Sequence, residues 1–106
     1  MRRPSQRELV RILNVPELAI YPGKAFAIAE DGDEVPAGYI AVAVIGSGAV
    51  EFVKDAAIPR PTPRSMIGDE VELLDPPVLG PFKLKIDGDA KVVLINVRKL
   101  FVGRQR

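Results

Sequence analysis

The chain has 106 residues, and its 15 Lys and Arg face 14 Asp and Glu, which leaves a formal net charge of +1. This length suits one small domain with a single hydrophobic core, and a hydrophobic content of 47% excludes disorder as the default state. Because Cys and His are both absent, the sequence excludes a disulfide scaffold, a thiolate metal site, a cysteine nucleophile and the commonest general base.

The first segment of the chain predicts a short helix. Ser5 and Glu8 form an S-x-x-E capping box, and Leu9, Ile12 and Leu13 follow at helical spacing. An isolated helix of about nine residues is not stable in water. We therefore expect residues 1–14 to form a helical arm that docks on the chain's own sheet or on a neighbouring chain.

Beyond the helix the pattern is typical of short β-strands. Residues 25–29 alternate in size, residues 39–45 are continuously apolar, and residues 82–87 alternate apolar with charged side chains. Residues 70–73 supply one more strand, and residues 90–97 are apolar on both faces, which predicts a strand that is central or covered on both sides. About six or seven strands at this spacing predict one mainly-β domain, a small antiparallel β-sandwich or barrel with a short N-terminal helix.

Two glycine-containing turns predict two β-hairpins. The Gly-Ser-Gly turn pairs Ile45 with Ala49, because a slip of one residue would mix the two faces of the strands. The Asp-Gly-Asp turn further along pairs Ile86 with Ala90. That turn and the acidic turn at residues 31–34 are interpreted as hairpin turns rather than calcium loops, since the spaced ligands of an EF-hand are missing.

The near-neutral total charge conceals basic ends and an acidic body. Residues 1–13 hold four Arg against one Glu, residues 98–106 hold four bases and no acid, and residues 14–97 hold seven bases against thirteen acids. Basic ends of this kind bind phosphate groups, dock on an acidic partner or are simply solvated. We expect residues 98–106 to be a basic C-terminal tail.

Alternating prolines in residues 58–64 predict a polyproline-II strut. The strut is either an arm that reaches a neighbouring subunit or a stiff surface loop. The residues predicted to bind partners are the basic ones of the two ends and of this strut: Arg2, Arg3, Arg7, Arg11, Arg60, Arg64, Arg98, Lys99, Arg104 and Arg106.

The sequence offers little support for an enzyme. Glu70 and Glu72 lie on one face of a predicted exposed strand, and the chain has no Ser-x-x-Lys, G-x-S-x-G or glycine-rich phosphate motif. We expect no catalytic residue, no cofactor and no metal. No apolar segment approaches the roughly 20 residues that span a membrane, and no apolar stretch of a signal peptide follows the first arginines.

These features favour a non-enzymatic assembly subunit, most specifically a small capsid, decoration or connector protein of a virus or phage, located in the virion after synthesis in the host cytoplasm. Deleting residues 1–13 or 98–106 is then expected to leave the fold intact and to abolish assembly. One alternative is a nucleic-acid-binding barrel whose terminal arginines contact phosphate, with Tyr21 and Phe101 as the two aromatic residues outside the predicted core. The other is an adaptor subunit of a cellular complex.

Overall fold

Eight strands and three short helices make up the part of the chain that the structure, a computed structural model, describes: residues 1–54, 58–61 and 71–102. The N-terminal elements are α1 (Gln6–Leu13), α2 (Pro16–Ala19) and a 3₁₀ turn (Gly23–Ala25). The strands are β1 (Phe26–Ala29), β2 (Glu34–Val35), β3 (Tyr39–Ile45), β4 (Gly48–Lys54), β5 (Ile58–Pro61), β6 (Val71–Leu79), β7 (Phe82–Gly88) and β8 (Lys91–Asn96). The last element is α3 (Val97–Val102).

The predicted capping box starts α1. The Ser5 hydroxyl accepts a hydrogen bond from the backbone N–H of Glu8 at 3.1 Å, and the Glu8 carboxylate accepts one from the backbone N–H of Ser5 at 2.8 Å. Asn14 caps the C-terminal end, and Pro16 then begins α2, a helix that the sequence pattern did not predict. Ile12 is fully buried, so the helical segment docks on the chain's own sheet.

The strands form two antiparallel four-stranded sheets. The first has the order β1-β8-β3-β6 and the second the order β2-β7-β4-β5. This confirms the predicted mainly-β domain with a short N-terminal helix, and of the two predicted architectures, sandwich or barrel, the two sheets form a sandwich. The strand order is that of an eight-stranded jelly roll, in which consecutive strands repeatedly change sheet.

Both predicted hairpins are wrong. β3 pairs with β6 and β8 rather than with β4, and β7 pairs with β2 and β4 rather than with β8. Each glycine-containing turn carries the chain from one sheet to the other. The burial patterns of these strands differ as well: β3 and β8 are buried over most of their length, whereas in β4 and β7 buried residues alternate with half-buried or exposed ones.

The two crossing turns contact each other where the sheets meet. The backbone N–H of Asp89 donates to the carbonyl of Ser47 at 2.9 Å, and Gly48 lies opposite Gly88 in the ladder between β4 and β7. A Cβ on Gly48 would overlap the carbonyl oxygen of Asp87. The turns therefore require glycine for close backbone approach as well as for their shape.

The central strands of the first sheet, β8 and β3, are covered on both faces, which gives the molecule two hydrophobic layers. Between the sheets, Phe52 packs edge to face on Phe82 with ring centroids 5.0 Å apart. On the other face, the helices bury Ile12 and Leu18 against the sheet. β8 lies centrally between β1 and β3 and is covered on both sides, as its sequence predicted.

A β-bulge in β3 serves both layers. Ala41 pairs with Leu94 and Ala43 with Val93, so Val42 is the extra residue. As a result Val42 and Ala43 both pack in the layer beneath the helices, while Ala41 packs between the sheets.

Two segments differ from the predicted strut and tail. Ile58–Pro61 is an edge strand paired with β4 rather than a polyproline strut, and proline is tolerated at such an edge; residues 62–64 lie outside the described residues. Residues 97–102 form α3 rather than a tail, and Leu100 packs in the layer beneath the helices. Residues 103–106 lie outside the described residues.

None of the described helices is long and apolar enough to cross a membrane.

Candidate interaction sites

Arg2, the first predicted partner-binding residue, is used within the chain. Its terminal guanidinium nitrogens donate to the two carboxylate oxygens of Glu8, each at 2.8 Å, and its Nε donates to Glu30 at 3.1 Å. One terminal nitrogen also donates to the carbonyl of Arg3 at 3.2 Å. Arg2 is therefore a structural residue that joins the N-terminal segment to α1 and to the end of β1.

The backbone of Arg2 extends the first sheet. Its N–H donates to the carbonyl of Ile28 at 2.9 Å, and the N–H of Ile28 donates back at 2.7 Å. This bridge covers part of the outer edge of β1, where unpaired backbone groups would otherwise be exposed. The predicted arm of residues 1–14 is thus built into the sandwich at both of its ends.

The ion pair changes the titration of both partners. Hydrogen bonds from Arg2 lower the pKa of Glu8 to about 2, against an opposing effect of burial, and the backbone N–H of Ser5 adds to the lowering. The same hydrogen bonds raise the pKa of Arg2 above its ordinary value. Both groups remain charged throughout the neutral range.

Basic residues from separate segments line one cleft of about 200 Å³, which we call the basic cleft. Arg3 comes from the N-terminal segment, Lys24 from the 3₁₀ turn and Lys99 from α3, which packs against that turn. All three are exposed, and none of the described residues that line the cleft is acidic. The two ends of the chain, predicted separately as basic, therefore meet in space at Arg3 and Lys99.

Tyr39 and Asn96 supply the neutral polar groups of the basic cleft. The backbone N–H of Arg98 donates to Asn96 Oδ1 at 3.0 Å, which fixes the amide so that its Nδ2 donates to the Tyr39 hydroxyl at 3.2 Å. Because a backbone N–H can only donate, this assignment of the amide has no alternative. The Tyr39 oxygen therefore accepts from Asn96 and keeps its own proton to donate.

A second surface lies on the outer face of α1. Gln6, Arg7, Val10 and Arg11 line a shallow groove of about 690 Å³ there. Val10 is 52% exposed, although Ile12 on the opposite side of the helix is fully buried. We call this surface the α1 face, and it combines apolar and basic character.

An apolar groove of about 460 Å³ lies on the second sheet beside β2. Val35, Val53 and Phe82 contribute to its lining. Its charged residues, Glu34 and Lys83, are opposite each other in the register of β2 and β7. They form a cross-strand pair of opposite charge rather than a set of groups converging on a substrate.

The described basic residues that remain from the prediction, Arg98 and Arg60, lie on separate elements. Arg98 is exposed in α3, and Arg60 lies in β5 opposite Phe52. Arg64, Arg104 and Arg106 lie outside the described residues. Of the two aromatic residues expected outside the core, Tyr21 packs edge to face on Phe26 with centroids 6.2 Å apart, and the side chain of Phe101 is outside the described part.

The acidic turn after β1 uses its carboxylates to hold the backbone. Asp31 Oδ1 accepts from the N–H of Ile86 and Asp33 Oδ2 accepts from the N–H of Glu30, both at 2.8 Å. Within residues 1–54, 58–61 and 71–102, no group of three or more His, Cys, Asp or Glu is placed to hold a metal ion. Glu72 is less solvated than its strand pattern predicted, because its Oε1 is buried and accepts no hydrogen bond from a described residue.

Sequence reasoning missed Lys24, Tyr39 and Asn96 as members of the basic cleft. Lys24 stands alone among apolar residues, and Tyr39 begins an apolar strand, so neither has a local signal. Asn96 does have such a signal, because Asn directly before a helix is a common N-cap.

Comparison with family models, with curated proteins and with solved structures finds no match for the chain.

Proposed function

We propose that this chain is a non-enzymatic structural subunit that binds neighbouring protein subunits through its α1 face. The observation that carries the proposal is the division of α1 into two faces. Ile12 anchors the helix in the core, while Val10, at 52% exposure, faces solvent beside Arg7. Leu13 and Ile20, in the same helical layer, are 37% and 75% exposed.

Exposed apolar residues are individually common on protein surfaces. Here they share the helical layer with basic residues, which favours a partner that is itself acidic and partly apolar. A second copy of this chain has the required charge, since residues 14–97 carry seven bases against thirteen acids.

On such a copy, the contact we propose lies at the turns beside β7, where Asp87 and Asp89 are exposed. The N–H of Gly32 donates to the carbonyl of Leu84, and the N–H of Leu84 donates to the carbonyl of Asp33, both at 3.0 Å. These bonds bring the turn after β1 next to β7, which carries the exposed Asp87. A basic surface on one copy and an acidic surface on the next favour a heterologous, head-to-tail contact, which builds rings or extended arrays.

The particular assembly we propose is a virus particle, in which the chain is a small capsid, decoration or connector protein. Support for this step is the jelly-roll strand order, an architecture that viral capsid proteins use along with lectins and cupins. It is an analogy of fold, and function depends on sites rather than folds. The location in the virion, after synthesis in the host cytoplasm, follows from the same analogy.

The non-enzymatic part of the proposal is supported by the chemistry of the described surface. The apolar groove beside β2 holds one cross-strand pair, Glu34 and Lys83, and the Asp31 and Asp33 carboxylates are occupied by backbone N–H groups. An active site requires a nucleophile, acid or base placed against groups that stabilise developing charge.

Size-exclusion chromatography with light scattering tests the proposal over a range of protein concentration. The full chain is expected to self-associate at high concentration, and Val10→Asp is expected to shift it to monomer. Ala37→Asp is the matched control, because it adds the same charge at an exposed loop position between β2 and β3. A wild-type chain that stays monomeric throughout, or equal association of the two variants, overturns the proposal.

A further inference from the structure

We propose that the basic cleft binds a phosphate group. The proposal does not depend on the assembly role, because the basic cleft and the α1 face are lined by different residues. It stands on three features of the cleft: its converging cations, its hydroxyl donor and its size.

The first feature is charge. Arg3, Lys24 and Lys99 reach the basic cleft from three separate segments, and no acidic residue is among the described residues that line it. Arg2 and the ammonium group of Met1 line the cleft as well, but Glu8 and Glu30 already neutralise Arg2, and Asp33 pairs with the Met1 ammonium at 3.3 Å. Three further like charges around a small concave space repel each other, and an anion between them relieves that repulsion.

The second feature is the donor that Tyr39 presents. Asn96 uses both ends of its amide, one to accept from Arg98 and one to donate to Tyr39. The tyrosine hydroxyl is thereby held as an acceptor towards Asn96, and its proton is available to a ligand oxygen. The basic cleft thus combines three positive groups with one neutral hydroxyl donor.

The third feature is size. A cleft of about 200 Å³ has room for one small oxyanion among these groups. A phosphate group carries up to two negative charges and three acceptor oxygens, whereas a carboxylate carries one charge and two oxygens. Phosphate therefore matches the three cations and the hydroxyl better than a carboxylate does.

The test is a titration of the full chain with inorganic phosphate at constant ionic strength, followed by two-dimensional amide NMR. We expect saturable shifts at Tyr39, Asn96 and Lys99, and a parallel titration with acetate is expected to show weaker binding. Lys24→Gln and Lys99→Gln should each lower the affinity for phosphate about threefold to fivefold, the effect of one exposed charge pair. Tyr39→Phe should lower it as well, because it removes only the hydroxyl.

Lys85→Gln is the matched control, since Lys85 is an exposed lysine on β7, outside the lining of the basic cleft. It is expected to bind phosphate like the wild-type chain. Absence of saturable shifts, equal weakening by Lys85→Gln and Lys24→Gln, or acetate binding as tight as phosphate binding would each overturn the proposal. Unchanged amide spectra outside the mutated sites establish that the variants are folded.

Discussion

Arg2 and Glu8 form a bidentate ion pair, with both guanidinium–carboxylate distances at 2.8 Å, and this pair locks the N-terminal segment onto the first turn of α1. The same carboxylate closes the capping box by accepting from the N–H of Ser5. One side chain therefore stabilises the start of the helix and its attachment to the sheet. The arrangement is stronger than most surface pairs, because the Glu8 side chain is only 14% exposed.

Glu8 makes the free energy of unfolding depend on pH in the acid range. Its pKa falls from an ordinary value of 4.5 to about 2 in the folded chain, so the folded state binds fewer protons than the unfolded state between these values. The stabilising contribution is complete above about pH 4.5 and is lost as the pH falls towards 2. Glu8→Gln is expected to cost about 1 kcal/mol at pH 7 and to flatten this acid dependence in chemical denaturation measured from pH 6 to pH 2.

The matched control is Glu30→Gln. Glu30 also contacts Arg2, through Nε at 3.1 Å, but its side chain is 49% exposed. Glu30→Gln should lower the free energy of unfolding by a few tenths of a kcal/mol at most and leave its dependence on acid pH in place. An equal effect of the two variants would contradict the role assigned to Glu8.

Asp31 is expected to act as a turn residue rather than as a metal ligand. Its Oδ1 accepts the N–H of Ile86 at 2.8 Å, so Asp31→Ala should cost about 1 kcal/mol, whereas Asp31→Asn keeps an acceptor and should cost less. Thermal unfolding of the wild-type chain should be the same with calcium and with EDTA. A calcium-dependent rise in Tm that Asp31→Ala abolishes would show instead that the turn binds the ion.

We expect Ile12 to be essential for the fold and Leu13 to be dispensable. Ile12 is 0% exposed and Leu13 is 37% exposed, so Ile12→Ala should cost about 2–5 kcal/mol and Leu13→Ala about 0.5 kcal/mol or less. Urea unfolding of both variants measures the difference. Removal of residues 1–13 is then expected to unfold the chain, because the layer beneath the helices would lose its cover. This differs from the expectation from sequence, which was that the fold survives the deletion.

Local signals predicted the helix correctly, and they predicted the strand pairing wrongly. The capping box of Ser5 and Glu8 depends on residues three apart, so it can be recognised in the sequence. The turns beyond Ile45 and Ile86 carry the same glycine signal whether the chain returns in the same sheet or crosses to the other. The two cases differ in burial, since β3 and β8 are buried on both faces over most of their length, whereas β4 and β7 alternate.

The candidate sites were predictable only in part for a similar reason. Counting charges along the chain located the basic ends, and Arg3 and Lys99 do line one cleft. The count cannot reveal that Arg2 is neutralised by Glu8 and by Glu30, a residue far away in the sequence. Lys24 joins the cleft only because α3 packs against the 3₁₀ turn, which is a tertiary contact.

The crossing between the sheets makes Gly48 the glycine most sensitive to substitution by alanine. Its φ is +139°, and a Cβ there would overlap the backbone oxygen of Asp87, which cannot move without opening the ladder between β4 and β7. Gly32 is the control, since its φ of +86° is also positive but a Cβ meets nothing within 4 Å. Gly32→Ala should lower the free energy of unfolding by about 1–2 kcal/mol, which is the cost of the left-handed conformation alone. Gly48→Ala should lower it by clearly more. Equal costs in urea unfolding would show that the two crossing turns are not in close backbone contact, and would contradict the jelly-roll strand order at the place where it was hardest to predict.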